Sequence, residues 1–584
     1  MCLARFVSFT WYNKTMNKFL PTTKQDMKER GWDACDVIFI TADAYCDHPS
    51  FGVALLSRLL EDEGYRVGII AQPDWRKDDD FLELGRPRLF FGVTAGNLDS
   101  MLNIYTSNLN FRGEDRYSPG GVLGLRPKLP TIVYSNKARQ LFPGVPVVIG
   151  GIEASMRRLA YYDYWSDKVK RSILFDSKAD ILVYGMAERQ VVDIADRLKK
   201  LEALETLNDI RGTCIARKDL NFLDSFVTLP SFEEVAGDKL KFLEAFNLYS
   251  GELNPFTAKP VVQRMDARYC VELPPAIPLS TQELDRIYDL KFTRKCHPRY
   301  EKAGGIPALK TVETSITSHR GCAASCSFCS LSFHQGRVIQ SRSPGSIEKE
   351  AGNIAAQKDF KGVISDVGGP TANMYAAVCK IANRCLRPDC LWPEICSNFK
   401  VDFSKQAEVL SVVRAIKGIK RVNIQSGLRF DLLLLPQARD YFIELCRHYI
   451  SGQLKVAPEH VSDKVLKLMR KPPFKTYEKF VKKYEELNKE LGKKQYLVQY
   501  FITAHPGCDL NDALGLARYT KKMGYTPEQL QDFIPLPMTR SGVMFYTGFD
   551  PETKENLYVA KNKSDRKAQR KMIQDRSVSE ADLS

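Results

Sequence analysis

The chain has 584 residues, of which 85 are Lys or Arg and 70 are Asp or Glu, so its formal net charge is +15. A hydrophobic fraction of 44% and an aromatic fraction of 10% suffice for ordinary buried cores, which excludes a mainly disordered or collagen-like protein. No apolar stretch approaches the ~18 residues of a membrane-spanning helix, and Met1–Asn17 lacks a signal-peptide pattern. We therefore expect a cytoplasmic protein that makes no contact with a membrane.

Residues 1–200 alternate extended apolar runs with helical patterns, which predicts a Rossmann-like α/β domain with a doubly wound parallel sheet. The predicted strands are Asp36–Thr41, Val67–Ala71, Leu89–Thr94, Val145–Ile149 and Ile181–Tyr184. Ligands bind beyond the carboxyl ends of such strands, so the residues that follow them predict a crevice. These residues are Gly96, Asn97, Gly150, Gly151, Gly185 and Glu188.

The rest of the chain divides into three predicted parts. Prolines interrupt residues 201–308, which predicts an irregular adapter or linker that packs on both neighbours. Strand–helix alternation resumes over residues 309–550 and predicts a partial or complete (β/α) barrel. Its predicted strands are Thr311–Thr317, Gly362–Val367, Val422–Gln425, Leu454–Ala457 and Tyr496–Thr503. Residues 551–584 form a charged C-terminal tail whose basic run, Lys561–Lys571, is either a solvated segment or a contact for nucleic acid.

Seven of the fifteen cysteines lie between Cys322 and Cys396, a clustering that indicates metal or redox chemistry rather than a disulfide framework. The spacing Cys322-x3-Cys326-x2-Cys329 places three thiols on one short loop after a predicted strand. Thiolates suit zinc or an iron–sulfur cluster. A four-iron cluster held by three cysteines leaves one iron open for a small molecule, whereas a fourth ligand from His319 or His334 would make a closed Cys3His zinc centre.

A second group of cysteines follows further along the chain. Its members are Cys379, Cys385, Cys390 and Cys396. Four thiols within so short a stretch can bind tetrahedral zinc or an auxiliary iron–sulfur cluster. The alternative is a set of buried or merely adjacent free thiols, because the spacings fit no familiar zinc pattern.

The cysteine loop and several further stretches resemble the YgiQ-type family of radical S-adenosylmethionine (SAM) proteins over nearly the whole chain. The matching stretches are Phe19–Cys46, His319–Ser343, Val363–Tyr375, Leu454–His460, Tyr500–Asp509 and Gln531–Arg540. The resemblance implies that Cys322, Cys326 and Cys329 hold a 4Fe–4S cluster whose remaining iron binds SAM. It also implies further SAM contacts: the backbone at Phe328 for the adenine, Gly368 and Gly369 for the methionyl amine, and Ser426, Arg429 and Glu459 for ribose, carboxylate or amine.

The resemblance implies reductive cleavage of SAM to a 5′-deoxyadenosyl radical, which abstracts hydrogen from a substrate that the sequence does not identify. The reaction needs a reducing electron donor such as flavodoxin or ferredoxin. Two alternatives remain: methylthiotransferase-like modification of RNA or protein with a second cluster, and a non-catalytic zinc or nucleic-acid-binding protein. A cobalamin-binding-like fold is expected for residues 1–200. We do not expect cobalamin itself, because Asp47–His48 lacks the D-x-H-x-x-G spacing of cobalamin-binding domains.

Overall fold

The structure, a computed structural model, describes residues 19–387, 389–524, 527 and 529–574. Its first half is built on a nine-stranded mixed sheet. From one edge to the other, the strands are Val67–Ala71, Val37–Thr41, Phe90–Thr94, Val147–Gly150, Ile181–Val183, Thr213–Arg217, Arg268–Glu272, Val261–Met265 and Val227–Leu229. The first five of these are mutually parallel. Their spatial order, 2-1-3-4-5 in chain order, is a doubly wound arrangement whose switch point lies between Val37–Thr41 and Phe90–Thr94.

The hydrophobic pattern predicted these five parallel strands to within two residues at each end, and Val67–Ala71 is confirmed without change. Every residue of Val37–Thr41 and of Val67–Ala71 is buried, because helices cover both faces of the sheet. The helix Gly52–Asp62 buries Leu55, Leu59 and Leu60, while Leu56 is only partly buried.

Residues 201–308 differ from the irregular adapter that their prolines predicted. Four of their segments, Thr213–Arg217, Val227–Leu229, Val261–Met265 and Arg268–Glu272, extend the first sheet. These strands are short, and their partners lie far away in the chain or across a tight hairpin. Pairing with an existing sheet edge stabilises them, which a pattern read along the sequence does not reveal.

The second half contains a series of parallel strands that pair in chain order, besides two short antiparallel pairs. Ser315–Thr317 pairs with Asp366–Gly368, and Val363–Ile364 pairs with Arg421–Val422. A parallel bridge joins Leu428 to Val456. The next strand, Gln453–Glu459, pairs with Tyr496–Thr503, which in turn pairs with Gln529–Asp532. The predicted strand Thr311–Thr317 is shorter than expected, because a helix that begins at Pro307 extends through Val312.

Helices flank both sheets and connect their strands. In the first half the α-helices are Lys24–Glu29, Gly52–Asp62, Asp79–Leu82, Ser100–Ile104, Pro130–Leu141, Gly151–Ser155, Ile173–Asp176, Glu188–Lys199, Phe232–Gly237, Lys239–Gly251 and Thr281–Asp289. In the second half they are Pro307–Val312, Leu331–His334, Pro344–Ala355, Phe403–Ala415, Phe430–Leu433, Arg439–Glu444, Asp463–Met469, Phe474–Glu490, Leu510–Lys522, Arg540–Thr547 and Lys563–Gln574. Within the described ranges, none of them is both long enough and apolar enough to cross a bilayer.

The basic run near the C-terminus is a docked helix rather than a solvated tail. The helix Lys563–Gln574 buries Arg566, Gln569 and Ile573. The Gln569 amide donates to the carbonyl of Cys508 at 2.8 Å, and its oxygen accepts from the amide of Ala504 at 2.9 Å. The part of the predicted tail that follows Gln574 lies outside the described residues.

Candidate active site

The three-cysteine loop lies between the paired strands His319–Arg320 and Gln340–Ser341. The Cys322 amide donates to the carbonyl of Gly336 at 3.1 Å, which folds the loop back toward its own end. Cys322 is buried, while Cys326 and Cys329 are half-buried. Desolvation raises the pKa of Cys329 to about 12, and the thiols of Cys326 and Cys322 add to the increase. Three thiols therefore share one poorly solvated site.

Two cations stand beside these thiols. Nη1 of Arg429 lies 3.7 Å from Sγ of Cys326. Desolvation raises the pKa of Cys326, whereas the charges of Lys471 and Arg429 act to lower it. Positive charge at this place favours thiolates and whatever anionic group they bind. The donor set thus fits an iron–sulfur cluster, since a cluster joins its cysteines to different irons and its charge is negative.

The two histidines that were considered as zinc ligands are engaged elsewhere. Nε2 of His319 donates to the carbonyl of Thr371 at 3.0 Å, and its Nδ1 lies 2.9 Å from the hydroxyl of Ser318. Nδ1 of His334 lies 3.1 Å from the hydroxyl of Ser155. Burial lowers the pKa of each histidine to about 4. Both ring nitrogens of His319 are therefore used within the protein, which disfavours a Cys3His zinc site built on it.

Gly368 and Gly369 are required by the protein itself, and not only by a ligand. A Cβ on Gly369 would lie 2.6 Å from the carbonyl oxygen of His319 and 2.7 Å from its ring. A Cβ on Gly368 would lie 2.8 Å from Oγ of Ser426. The sequence argument attributed both glycines to ligand space alone. The tight packing of the strand end Asp366–Gly368 against its neighbours supplies a second reason.

Two other predicted SAM contacts, Ser426 and Glu459, each lie beside a charged side chain of the protein. Ser426 donates its hydroxyl to Asp366, a carboxyl group whose pKa is raised by desolvation. Glu459 ends the strand Gln453–Glu459 at a register shift, with a φ of 72° that is unusual for a residue with a side chain. Its Oε1 lies 3.8 Å from Nζ of Lys471, and it does not cap the next helix, whose N-cap is Ser462.

The Phe328 side chain packs against a histidine of the second half. Its ring meets the ring of His505 edge-on, with centroids 6.4 Å apart. The His505 ring is itself fixed, because its Nε2 lies 2.7 Å from the hydroxyl of Ser541. The side chain of Phe328 therefore anchors the cysteine loop against later strands of the second half, which leaves only its backbone to meet a ligand.

A cavity of about 620 Å³ lies between the carboxyl edge of the first sheet and the strand ends of the second half. All six crevice residues predicted in the first half line it: Gly96, Asn97, Gly150, Gly151, Gly185 and Glu188. From the second half, Ser330, Leu331, Gly368, Gly369 and Ser426 line it as well. Ser330 and Leu331 directly follow the last loop cysteine, so the cavity reaches the cysteine loop. The crevice prediction is confirmed.

A buried ion pair joins the two walls of this cavity. Arg320, which comes two residues before Cys322, donates to Glu188 from the first half, and its Nε also donates to the hydroxyl of Tyr288 at 3.1 Å. Both partners of the ion pair are about 3–4% exposed at their side chains. The cysteine loop is thus fixed to the first sheet as well as to its own half.

Comparison with known proteins decides the family. The family model described as Radical SAM N-terminal matches residues 19–315, and the one described as Radical SAM superfamily matches residues 316–519. A UPF0313 protein of Clostridium botulinum (strain Kyoto / Type A2) is 50% identical over 559 residues, which are 95% of this chain and 87% of the relative. The chain belongs to the UPF0313 family of radical SAM proteins. A UPF0313 protein of Clostridium perfringens (strain 13 / Type A) is 49% identical over 96% of this chain and 85% of its own.

Membership in this radical SAM family confirms the resemblance drawn from the sequence. The chain has an α/β radical SAM fold and is a radical SAM enzyme, which uses a 4Fe–4S cluster and SAM and needs a reductant and a substrate. The non-catalytic alternative is therefore wrong.

One solved structure shows a similar fold, and a second is a weaker match. TsrM, a radical SAM methyltransferase from Kitasatospora setae solved with cobalamin and a [4Fe-4S] cluster, matches with a TM-score of 0.51 at 14% identity, over 88% of this chain and 74% of its own. The radical SAM enzyme OxsB with aqua-cobalamin and SAM matches with a TM-score of 0.47 over 89% and 56%. At such low identity the likeness to TsrM shows the fold alone. It gives no support to our expectation that cobalamin is absent, which stays a prediction.

The second cysteine group of this radical SAM protein lies in an irregular loop closed by a short strand pair. Val378–Cys379 pairs with Phe399–Lys400, and the Cys396 amide donates to the carbonyl of Cys390 at 2.8 Å. Desolvation raises the pKa of Cys390 to about 12, with contributions from the thiols of Cys379 and Cys385. Across the described ranges, no three His, Cys, Asp or Glu side chains are arranged to hold one metal ion, and this applies to the three-cysteine loop as well as to the second group. Metal binding here stays a prediction.

Sequence reasoning missed several residues of this site. Lys471 follows a helix end with no pattern around it, and only the fold brings it to Glu459. Asp366 is a charged residue within a predicted strand, and a charge at such a position was a usable signal. Arg320 belongs to the cysteine motif, but its partner Glu188 stands 132 residues earlier in the chain.

Proposed function

We propose that the enzyme cleaves SAM reductively at a 4Fe–4S cluster held by Cys322, Cys326 and Cys329 and directs the reaction to a substrate in the cavity between its halves. When bound, the cluster and SAM supply a one-electron reduction that yields methionine and a 5′-deoxyadenosyl radical for hydrogen abstraction. The observation that carries the proposal is the shared, poorly solvated position of the three thiols beside Arg429, at one end of the large cavity.

The chain's own residues prepare the site. Arg429 and Lys471 offset negative charge at the thiols. We propose that the backbone at Phe328 meets the adenine of SAM. We propose further that its methionyl and ribose groups are contacted by Gly368, Gly369, Ser426, Arg429 and Glu459. The lining of the cavity by both glycines and Ser426 supports this. Walls from both halves exclude water, which a reactive carbon radical requires.

We also infer that the parallel strands of the second half form a partial (β/α) barrel with the cysteine loop at the carboxyl ends of its strands. Pairing in chain order from Ser315–Thr317 to Gln529–Asp532 supports this. In such barrels the active site lies at that end. The first half, with its 2-1-3-4-5 parallel order, then serves as the opposite wall. A small redox protein such as flavodoxin or ferredoxin is the proposed electron donor.

Three single variants test the proposed reaction. Anaerobically reconstituted protein should contain about four irons and form 5′-deoxyadenosine from SAM after reduction. Cys322→Ala, Cys326→Ala and Cys329→Ala should each lose that product. Cys446→Ala, at a buried cysteine in the core of the same half, should keep both iron and product. Wild-type protein that carries a four-iron cluster, stays reduced and yields no 5′-deoxyadenosine would refute the reaction.

We propose in addition that Cys379, Cys385, Cys390 and Cys396 bind a second metal centre, with an iron–sulfur cluster favoured over zinc. The electrostatic interaction of Cys390 with two other members of the set supports this. The triple variant of Cys322, Cys326 and Cys329 isolates the second centre, because any remaining iron or zinc must be held elsewhere. Cys390→Ala in that background should release the remaining metal. A metal-free triple variant would contradict the second site, and with it the methylthiotransferase alternative.

A further inference from the structure

Two cysteines outside the active site face each other directly. Cys46 and Cys296 are 250 residues apart in the chain but stand opposite each other on an antiparallel strand pair. Their Sγ atoms are 2.8 Å apart, closer than the van der Waals contact of two sulfur atoms. Both thiols are free in this structure. Cys46 is buried, while Cys296 remains partly exposed. The arrangement holds two thiols within reach of a covalent bond without any rearrangement of the backbone.

Backbone hydrogen bonds fix the pair from both sides. The His297 amide donates to the carbonyl of Tyr45 at 2.9 Å, and the Arg294 amide donates to the carbonyl of Asp47 at 2.8 Å. Cross-strand neighbours that do not exchange hydrogen bonds with each other bring their side chains closest together. The strand pair therefore places the two side chains directly opposite each other, within the range that allows their sulfurs to meet.

The pair joins two segments that matter for the active site. After Cys46 the chain continues into Pro49 and Ser50, which line the cavity. Before Cys296, Arg294 pairs with Glu350 and donates to the carbonyl of Ser315 at 2.7 Å, in the strand that leads to the cysteine loop. A bond between the sulfurs would tie one wall of the cavity to the segment that enters the second half.

We propose that Cys46 and Cys296 form a reversible disulfide that cross-links the segment after the first strand to the segment entering the second half, with a low-molecular-weight disulfide as the oxidant. The thiolate of Cys296 attacks one sulfur of oxidised glutathione and releases a glutathione thiolate. The thiolate of Cys46 then attacks the Cys296 sulfur of the mixed disulfide and releases the second glutathione. The two protein sulfurs lose two electrons, and both electrons and both thiol protons leave with the two glutathione molecules.

The order of the two steps follows from the surroundings of each thiol. The hydrogen bond with Cys46 lowers the pKa of Cys296, while the same bond and desolvation raise the pKa of Cys46. The partly exposed sulfur with the lower pKa reacts first, because the thiolate is the nucleophile. The buried thiol then resolves the mixed disulfide from a position directly opposite.

Peptide mapping of the loaded enzyme tests the proposal. Anaerobically purified protein is incubated with oxidised glutathione, denatured in acid, alkylated with iodoacetamide and digested with trypsin without reduction. Trypsin releases Cys296 in the peptide Cys296–Arg299 and Cys46 in the peptide Gly31–Arg58, which also contains Cys35. We expect these two peptides as one linked pair that disappears on reduction. Alkylation of both cysteines after full equilibration with the oxidant would overturn the proposal.

Two variants identify the bond. Cys46→Ala should lose the linked pair and leave Cys296 as a stable mixed disulfide with glutathione. Cys35→Ala, a buried control in the same tryptic peptide, should keep the linked pair. Loss of the linked pair in Cys35→Ala would show that Cys35, and not Cys46, bonds to Cys296, and this would refute the proposal. Oxidation should also slow amide hydrogen exchange over residues 293–313 in wild-type protein but not in Cys296→Ala, which remains informative if Cys46→Ala does not fold.

Discussion

Nη1 of Arg429 lies 3.7 Å from Sγ of Cys326, while the other edge of the same guanidinium forms a bidentate ion pair with Asp431. The ion pair fixes the direction of the guanidinium, because both of its bonds lie on one edge of the planar group. The side chains of Arg429 and Asp431 are each about 6% exposed. The positive charge is therefore held against the cysteine loop in a place that water hardly screens.

Arg429→Met should make the cluster harder to reduce, because a buried positive charge beside an anionic cluster stabilises the reduced state. Each ~1.4 kcal/mol of lost stabilisation lowers a one-electron potential by about 59 mV. The variant also leaves Asp431 unpaired, at a cost of about 3–5 kcal/mol in folding stability. A redox titration followed by electron paramagnetic resonance measures the potential. Arg447→Met, at an exposed pair with Glu444, should change neither quantity. An unchanged potential in folded Arg429→Met would contradict this role.

Gly369→Ala should destabilise the protein by about 1–3 kcal/mol, the usual cost of forcing an extra carbon into a packed region. The new Cβ would press on the carbonyl and ring of His319, which backbone contacts hold in place. Gly427→Ala is the matched control, because a Cβ there meets no atom within 4 Å. Urea denaturation compares the two variants. Equal stability of the two would show that the strand end can move to accept a side chain.

Stability should fall as the pH drops below about 6.5, because several buried or half-buried histidines, among them His319, His334, His460 and His505, resist protonation. Burial lowers the pKa of His319 and His460 to about 4 and that of His505 to about 3. Below the ordinary value of about 6.5 the unfolded chain binds protons that the folded chain does not, so each histidine lowers stability by roughly 1.4 kcal/mol per pH unit. The loss continues until the pH reaches the folded-state pKa.

Denaturation midpoints measured between pH 7 and pH 5 check this pH dependence. His505→Gln should reduce the slope of the unfolding free energy against pH by roughly 1.4 kcal/mol per pH unit, which is the contribution of one histidine. His448→Gln should change the slope much less, because His448 is partly exposed and only modestly shifted. A slope in His505→Gln equal to that of wild-type protein would show that His505 titrates normally in the fold.

The exposed lysines of the helix Lys563–Gln574 provide a test of nucleic-acid binding. Replacing Lys563, Lys567 and Lys571 with Gln should weaken RNA binding and reduce the slope of log K against log salt by about 0.7–0.9 for each lost phosphate contact. These lysines are exposed, so folding stability should not change. Arg566→Ala is the contrasting variant: it should destabilise the helix, because its buried guanidinium bonds the carbonyls of Ala560 and Lys561. An unchanged salt slope in the lysine variant would remove this partner.

The sequence predicted those parts of the fold whose signal is local. Strands with long apolar runs, such as Val67–Ala71 and Tyr496–Thr503, were confirmed to the residue. The short strand Val227–Leu229 was missed, because only its pairing with a distant strand makes it extended. The C-terminal helix was read as a tail because two of its three buried residues, Arg566 and Gln569, are polar and give no hydrophobic signal.

In the active site too, the sequence predicted local patterns and missed contacts that only the fold creates. The three cysteines are close in sequence, and their spacing was enough to predict a metal site, whereas the choice of a 4Fe–4S cluster came from the family resemblance. Lys471 and Asp366 reach the site through the fold: Asp366 accepts a hydrogen bond from Ser426 across 60 residues of chain, and the intervening helix Asp463–Met469 brings Lys471 back to Glu459. The sequence argument explained the need for glycine at position 369 only in part. The close approach of Gly369 to His319 becomes visible only when the strand end is placed beside that ring.

The ion pair between Glu188 and Arg320 has a consequence for dissecting this protein. The two family models meet between residues 315 and 316, which invites expression of the halves as separate fragments. A fragment from residue 316 onward would expose Arg320 without its counter-charge and would lose one wall of the cavity. A fragment that ends at residue 315 would leave Glu188 uncompensated at its sheet edge. The border between the two family matches is therefore a poor place to divide the chain into separately expressed fragments.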